Sequence, residues 1–452
     1  MPTLTSVARV LTGAPAVPAA PPRRGPWWRA PVRWHAIAVL TVWAGVIVAG
    51  YRLGYALYSD DFRVHIGNAP LVGSQDIRIS WRLTGAVLLA AGAISFGPAL
   101  AARLRWWALL VASWVGVAAW AVALAAGDGL GALRAPLQAR YEYLAAVDRV
   151  GSAGAFLSSF TDTLATYPTH VKGHPPGFLL LLTGLDELGL GGAWIAAALV
   201  IGVGALMAPA ALVAVRALAD ERAARAAAPF LVFTPAAVWV ATSADAFFAG
   251  VAACGIALVA LAACAPARRR RGMLAFTAGV VLGGALHLSY GIAPLGLVVL
   301  AVLVHRRAVV VALVATVGVL AVTAAFVAAG FWWLDGLNAT KELYHAGIAT
   351  RRPYAYFLVI NLAAFFVALG PAALAGLSRL RDRRVWVLAG ATIATVTAAE
   401  LSGLSRGETE RIWLPFVPWI LVATAALGAS RRWLALQVML GLTVQATARS
   451  PW

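Results

Sequence analysis

An all-α polytopic membrane protein is what this sequence predicts, and three observations predict it. Of 452 residues, 62% are hydrophobic and 12% charged, with a mean hydropathy of +0.82. The apolar residues come in repeated runs of about 17–25, the length a helix needs to cross a bilayer. Arginines cluster between the runs, as in cytoplasmic loops. Lipid leaves unpaired backbone polar groups unsatisfied, so only helices and closed barrels can span it. These runs are too long and too rich in Leu, Ala and Val for barrel strands.

Each segment then follows in chain order. Residues 1–33 are rich in Pro and Ala, carry Arg23, Arg24, Arg29 and Arg33, and lack the apolar core of a leader peptide. They read as a disordered cytoplasmic tail. Spans fall near 34–56, 81–102, 107–126, 192–215, 224–242, 245–265, 273–288, 290–304, 308–331, 354–377, 385–401, 412–428 and 433–448, about thirteen in all. Placing the arginine clusters in the cytoplasm puts the N-terminus inside and the C-terminus outside. The orientation works only if Pro175–Leu188 does not cross. That segment is short and carries Asp186 and Glu187, so it reads as a juxtamembrane or re-entrant helix on the outer face, with proline at its start where a missing N–H costs nothing.

The net charge is +18. Its placement between apolar runs is topological, so no nucleic-acid partner is implied. The lipid bilayer is the partner that composition names. Two cysteines, Cys254 and Cys264, both lie in one apolar run, which gives neither a disulfide framework nor a thiolate metal site. No P-loop, GxSxG, CxxC or dinucleotide fingerprint is present. Of 18 acids, only Asp220, Glu221 and Asp382 fall in cytoplasmic loops. Acids barely influence orientation, so their gathering outside marks that face as the working one.

Five constellations carry candidate chemistry. In the loop 127–191, Arg140-Tyr141-Glu142-Tyr143 places a carboxylate just after a span, suited to a general base or a metal ligand. The same loop holds YPTHVKGHPPG at 167–177. His170 and His174 sit four apart, but Gly173 and the two prolines oppose a regular helix, which weakens a zinc pair. His170, Lys172 and His174 are better suited to phosphate or sugar hydroxyls. A third group, Glu408, Glu410 and Arg411, stands at the mouth of a span, where Arg411 suits an anionic head group. In the outer loop 332–356, which also holds His345, the adjacent Arg351 and Arg352 break the positive-inside pattern and suggest a phosphate site. Asp60 and Asp61, after the first span, form the fifth group and an alternative base. Tyr290 lies in a tight turn at 287–291 between two short spans, at a depth where polar groups are often functional. No metal set stands out. A divalent ion is the one cofactor left open.

The order of these features resembles the GT-C superfamily of integral membrane glycosyltransferases, in its protein-mannosyltransferase-like and aminoarabinose-transferase-like branches of actinobacterial type. The resemblance rests on Glu142-Tyr143, the HPPG turn at 174–177, the PFLVFTP run at 229–235, Asp245 after Ser243-Ala244, and ERIWLPFVPW at 410–419. It implies a core at 107–428, preceded by a transmembrane pair with its outer loop at 34–106 and followed by a C-terminal helix at 429–452. It further implies transfer of a sugar from a polyprenyl-phosphate-linked donor to a glycan, lipid or protein acceptor on the outer face of a bacterial cytoplasmic membrane. Glu142 maps to the base, with Tyr143, His170, Lys172, His174, Tyr290, His345, Arg351, Arg352 and Arg411 on substrate and phosphate. If the core instead begins at residue 34, Asp60 or Asp61 takes the base role. The competing expectation is a transporter or lipid flippase without covalent chemistry, which requires polar groups along a path through the membrane.

Overall fold

The computed structural model describes residues 34–60, 68–241, 243–347 and 352–451, without the side chains of 57–60. The tail 1–33, Asp61, Arg351 and the side chain of Asp60 lie outside what it describes.

Helices account for nearly all the regular structure, as hydropathy predicts. Among the described residues, eight helices are long and apolar enough to cross a membrane: Trp34–Ala56, Trp81–Arg103, Trp106–Asp128, Ala193–Leu218, Ala244–Cys264, Val309–Ala328, Arg383–Leu401 and Thr409–Leu427. The pair Tyr354–Leu369 and Pro371–Leu377 makes a ninth if its 93° bend is one broken span. Length and composition alone therefore support eight or nine of the roughly thirteen expected spans. Residues 224–242 break after Val232, where Thr234 takes an extended conformation before Pro235. Arg268–Leu286 begins with four arginines. Tyr290–His305 is a short apolar helix, and Arg431–Thr447 is 17 residues long.

These helices form nested layers. Of the apolar stretches, 78% of Thr409–Leu427 and 67% each of Ala193–Leu218 and Ala244–Cys264 are buried inside the protein, against 6% of Trp34–Ala56 and 17% of Val309–Ala328. The inner helices are therefore those that can hold polar side chains away from lipid. Small residues bring them close: a Cβ on Gly250 would lie 1.9 Å from the carbonyl oxygen of Val203. In lipid, such close backbone approach supplies the packing that water-driven burial supplies elsewhere.

The loop after the first helix meets the C-terminal end at one edge. Ser74–Gln75 pairs antiparallel with Ala448–Arg449, in register Ser74 to Arg449 and Gln75 to Ala448. Backbone bonds Asp76 N–H to Thr447 O (3.0 Å) and Arg78 N–H to Ala446 O (2.7 Å) extend the ladder. Pro175–Leu188 behaves as expected: Gly177–Glu187 is an 11-residue helix, too short to span.

Candidate active site

Glu142 ends the loop that follows Trp106–Ala125. Its backbone is extended, opening the 3-10 turn Tyr143–Arg149. The carbonyl of Tyr141 accepts the N–H of His170 at 3.0 Å, which brings the HPPG segment alongside. Here the sequence expectation of irregular backbone needs amending. Thr169–Lys172 is a single helical turn, so His170 and His174 are one turn apart and His174 Nδ1 donates to the carbonyl of His170 at 2.8 Å. Past the prolines, Gly177 N–H bonds the carbonyl of His287 at 3.0 Å. A Cβ at Gly177 would lie 2.3 Å from that oxygen, so only glycine permits the contact.

Three inner elements meet the histidines. Asp245 opens Ala244–Cys264, whose N-cap Ser243 donates from Oγ to Asp245 Oδ2 at 2.8 Å and accepts the Asp245 N–H at 3.1 Å. The helix N-terminus favours a carboxylate there. Arg411 comes from the short turn Thr409–Ile412. Its Nη1 donates to Asp245 Oδ2. Its Nη2 donates to Glu408 Oε2 at 2.6 Å and to His170 Nε2 at 3.1 Å. His170 Nδ1 lies 2.6 Å from Glu142 Oε1.

These contacts fix the tautomer of His170. A guanidinium only donates, so Nε2 accepts and the ring proton sits on Nδ1, where it donates to Glu142. The result is a continuous chain, Glu142–His170–Arg411–Asp245, with Glu408 on its flank. Glu142 is 2% exposed and Arg411 5%, so the chain is shielded from solvent and its charges act strongly. Glu142 Oε2 is buried without a hydrogen-bond partner among the described residues. It is an uncommitted carboxylate acceptor in the cluster.

Flanking groups are tuned by burial. His174 Nε2 lies 3.9 Å from Asp245 Oδ1. Desolvation lowers its pKa below the ordinary 6.5, and the Asp245 charge only partly offsets this. Tyr143 packs edge-on against Phe178, with ring centroids 4.9 Å apart. Burial raises its pKa well above the ordinary value, the Asp245 and Glu142 charges add to the rise, and the hydroxyl stays neutral.

The structure thus unites Glu142, Tyr143, His170, His174 and Arg411. Arg352 lies one shell away and is buried. It donates to the carbonyl of Arg406. Desolvation lowers its pKa, opposed by the charge of Glu408. The other three predicted residues gather at the Trp333–Ala346 helix instead. The carbonyl of Lys172 accepts from Thr340 Oγ1 at 3.0 Å. Tyr290 sets its ring against Trp333 at 5.2 Å. His345 is exposed, with Nδ1 bonded to Lys341 O at 2.8 Å. Sequence reasoning named Glu408 in a candidate group but assigned it no role, and it did not select Asp245 or Ser243 as site residues. The signal for Asp245 was Ser-x-Asp opening an apolar span, a capping pattern that also puts a carboxylate at a membrane-embedded helix start. Glu410, expected at the span mouth, is 1% exposed, and its Oε1 accepts the Val72 N–H at 3.0 Å.

Among the described residues, no group of three or more His, Cys, Asp or Glu side chains is arranged to hold a metal ion. A cavity of about 340 Å³ opens beside the same loop, lined by Leu144, Val147, Asp148, Leu182, Asp186 and Ile195 among others.

No protein-family model matches this chain, and no curated protein matches it. Among solved structures, it is similar to the crystal structure of ArnT from Cupriavidus metallidurans bound to undecaprenyl phosphate, with a TM-score of 0.43 and 18% identity over 63% of this chain and 59% of that one. It is similar also to ArnT of the same organism in the apo state, with a TM-score of 0.38 and 20% identity over 61% of this chain and 54% of that one. The matched region therefore spans less than two thirds of the ArnT chains.

Proposed function

We propose that this protein is a GT-C-type membrane glycosyltransferase that moves a sugar from a polyprenyl-phosphate-linked donor to a glycan, lipid or protein acceptor on the outer face of a bacterial cytoplasmic membrane. The observation that carries the reading is the buried chain Glu142–His170–Arg411–Asp245 with one uncommitted carboxylate oxygen on Glu142. A base, an orienting imidazole and an anion-binding guanidinium stand in hydrogen-bonded order.

In the reaction, the acceptor hydroxyl gives its proton to Glu142 Oε2. Its oxygen then attacks the anomeric carbon of the donor sugar. The bond from that carbon to the phosphate oxygen breaks, and its electron pair leaves with the polyprenyl phosphate. One displacement inverts the anomeric centre. His170 keeps the Glu142 carboxylate in place by donating from Nδ1. Arg411 and Arg352 stabilise the phosphate charge as it develops. A positioned base contributes about 10²–10⁴-fold to rate. The experiment is transfer of radiolabel from polyprenyl-phospho-sugars by membranes with and without the protein. Label moving into an acceptor only when the protein is present supports the reading, and equal incorporation in both membranes removes it.

One observation favours the transport reading. Glu400, in the last turn of the helix Arg383–Leu401, is 6% exposed and is held by Asn361 Nδ2 at 3.2 and 3.3 Å. Buried acids of this kind mark ion pathways in transporters. Substrate flux in proteoliposomes without covalent transfer selects that reading.

A further inference from the structure

We infer that Glu408 is a placeholder for the donor's phosphate: its carboxylate occupies the anion position of Arg411 and a phosphate ester displaces it. This rests on the transferase reading of the same site. Arg411 is shared by two carboxylates that are held very differently. Asp245 has a side chain only 4% exposed and is fixed by Ser243 and the start of its helix. The Glu408 side chain is 25% exposed, so it is the more accessible of the two. A carboxylate and a phosphate offer a guanidinium the same paired oxygens, which makes one a natural stand-in for the other.

The backbone around Glu408 is held, while its partly exposed side chain is tied by its bond to Arg411. Asn361 accepts the Gly407 N–H at 3.0 Å and donates to the Ser405 carbonyl at 2.7 Å. Arg352 holds the Arg406 carbonyl. Glu408 itself sits at φ +64°, a left-handed conformation that non-glycine residues seldom adopt. It persists here because both flanks are tied, the second by Thr409 Oγ1 donating to the Asn361 carbonyl at 2.9 Å. That conformation aims the carboxylate back onto Arg411, three residues on.

The surrounding charge completes the argument. Glu142, Asp245 and Glu408 surround a single guanidinium, so an incoming phosphate meets surplus negative charge. Withdrawing Glu408 removes one of those charges. It also exposes the phosphate to a second cation, since the Arg352 guanidinium reaches within 2.9 Å of where a Cβ on Gly407 would lie. A phosphate in the place of the Glu408 carboxylate would therefore pair with Arg411 and lie in the field of Arg352, whose guanidinium already feels the Glu408 charge.

The test uses the purified full chain in nanodiscs, with undecaprenyl phosphate and inorganic phosphate as separate probes. Glu408→Gln keeps the shape and removes the competing charge, so it should bind the effective probe about fivefold to tenfold tighter than wild type. In the wild type, carbodiimide labelling of Glu408, read by mass spectrometry, should rise when the probe is added. This second readout needs no variant and holds even if Glu408→Gln fails to fold. Labelling raised by undecaprenyl phosphate alone assigns the site to a lipid head group. Labelling raised equally by inorganic phosphate assigns it to free phosphate. Unchanged or weaker binding by folded Glu408→Gln, or labelling that neither probe raises, overturns the inference. Sugar transfer by the wild type is read separately. Its absence alongside positive Glu408 results removes the transferase reading alone, and its presence with negative results removes the placeholder alone.

Discussion

At the residue scale, the site is a set of hydrogen-bond donors and acceptors whose directions leave little choice of role. Arg411 can only donate, which makes His170 an acceptor at Nε2 and a donor to Glu142 at Nδ1. Replacing Arg411 by Ala strands the buried Asp245 charge and should cost about 3–5 kcal/mol of stability. Arg411→Lys keeps the charge but not the fork geometry. It should restore most of the stability while transfer stays low, a split read by thermal melting and radiolabel transfer on the same preparation. His174 gives the pH prediction. Burial lowers its folded pKa below 6.5, so the folded state binds fewer protons there than the unfolded chain. That stability is present in full above about pH 6.5 and is lost as pH falls through the lowered value. Wild type should therefore lose more melting temperature between pH 7.5 and pH 5 than His174→Gln does, and equal losses contradict the assignment.

Legibility in the sequence follows from how rare a residue type is in its setting. His170, His174 and Glu142 stood out because polar residues in one outer loop of an apolar chain have few bland explanations. Arg411 stood out as an arginine among acids at the mouth of a span. Asp245 was quoted as part of a motif order but not chosen, because a capping acid at a helix start looks structural until its partner is seen. Lys172 and His345 were equally conspicuous, yet they gather at the Trp333–Ala346 helix. Rarity shows that a residue matters but not which neighbour it meets.

At the element scale, helix ends and breaks position the chemistry. Hydropathy alone sees apolar content, so it ran 224–242 and 354–377 as continuous spans. The backbone breaks the first before Pro235 and bends the second by 93°, because proline and the residue before it leave the helical region. The HPPG turn works through one close approach, Gly177 against the His287 carbonyl. Gly177→Ala should lower stability by roughly 1–3 kcal/mol and displace the turn that carries His174. Thermal melting with transfer assays checks this, and a wild-type melting temperature with full activity contradicts it.

At the scale of the whole molecule, ion pairs sort the two ends of the bundle. Arg384 bonds Asp220 at 3.1 Å, and Arg225 Nη1 donates to the carbonyls of Ala101 and Leu104 at 2.7 and 2.9 Å, so the arginine-bearing segments at 101–105, 216–225 and 379–384 share one end. Ala244–Cys264 runs from Asp245 in the site to the opposite end, just before Arg268. The charge pattern and the contacts therefore agree on which loops lie together. With Cys254 and Cys264 replaced by alanine, cysteines at exposed Ala145 and Ser402 should react with an impermeant maleimide added outside intact cells, and one at Ala267 should not. Labelling of Ala267 from outside reverses the proposed orientation.

The central claim is that Glu142 is the base of a sugar transfer, and one assay addresses it directly. Transfer from a panel of radiolabelled polyprenyl-phospho-sugars is measured with wild type, Glu142→Gln and Asp61→Asn at matched protein levels. Glu142→Gln should fall by about 10²–10⁴-fold, with Asp61→Asn near wild type. Intact transfer by Glu142→Gln, together with loss in Asp61→Asn, contradicts the account.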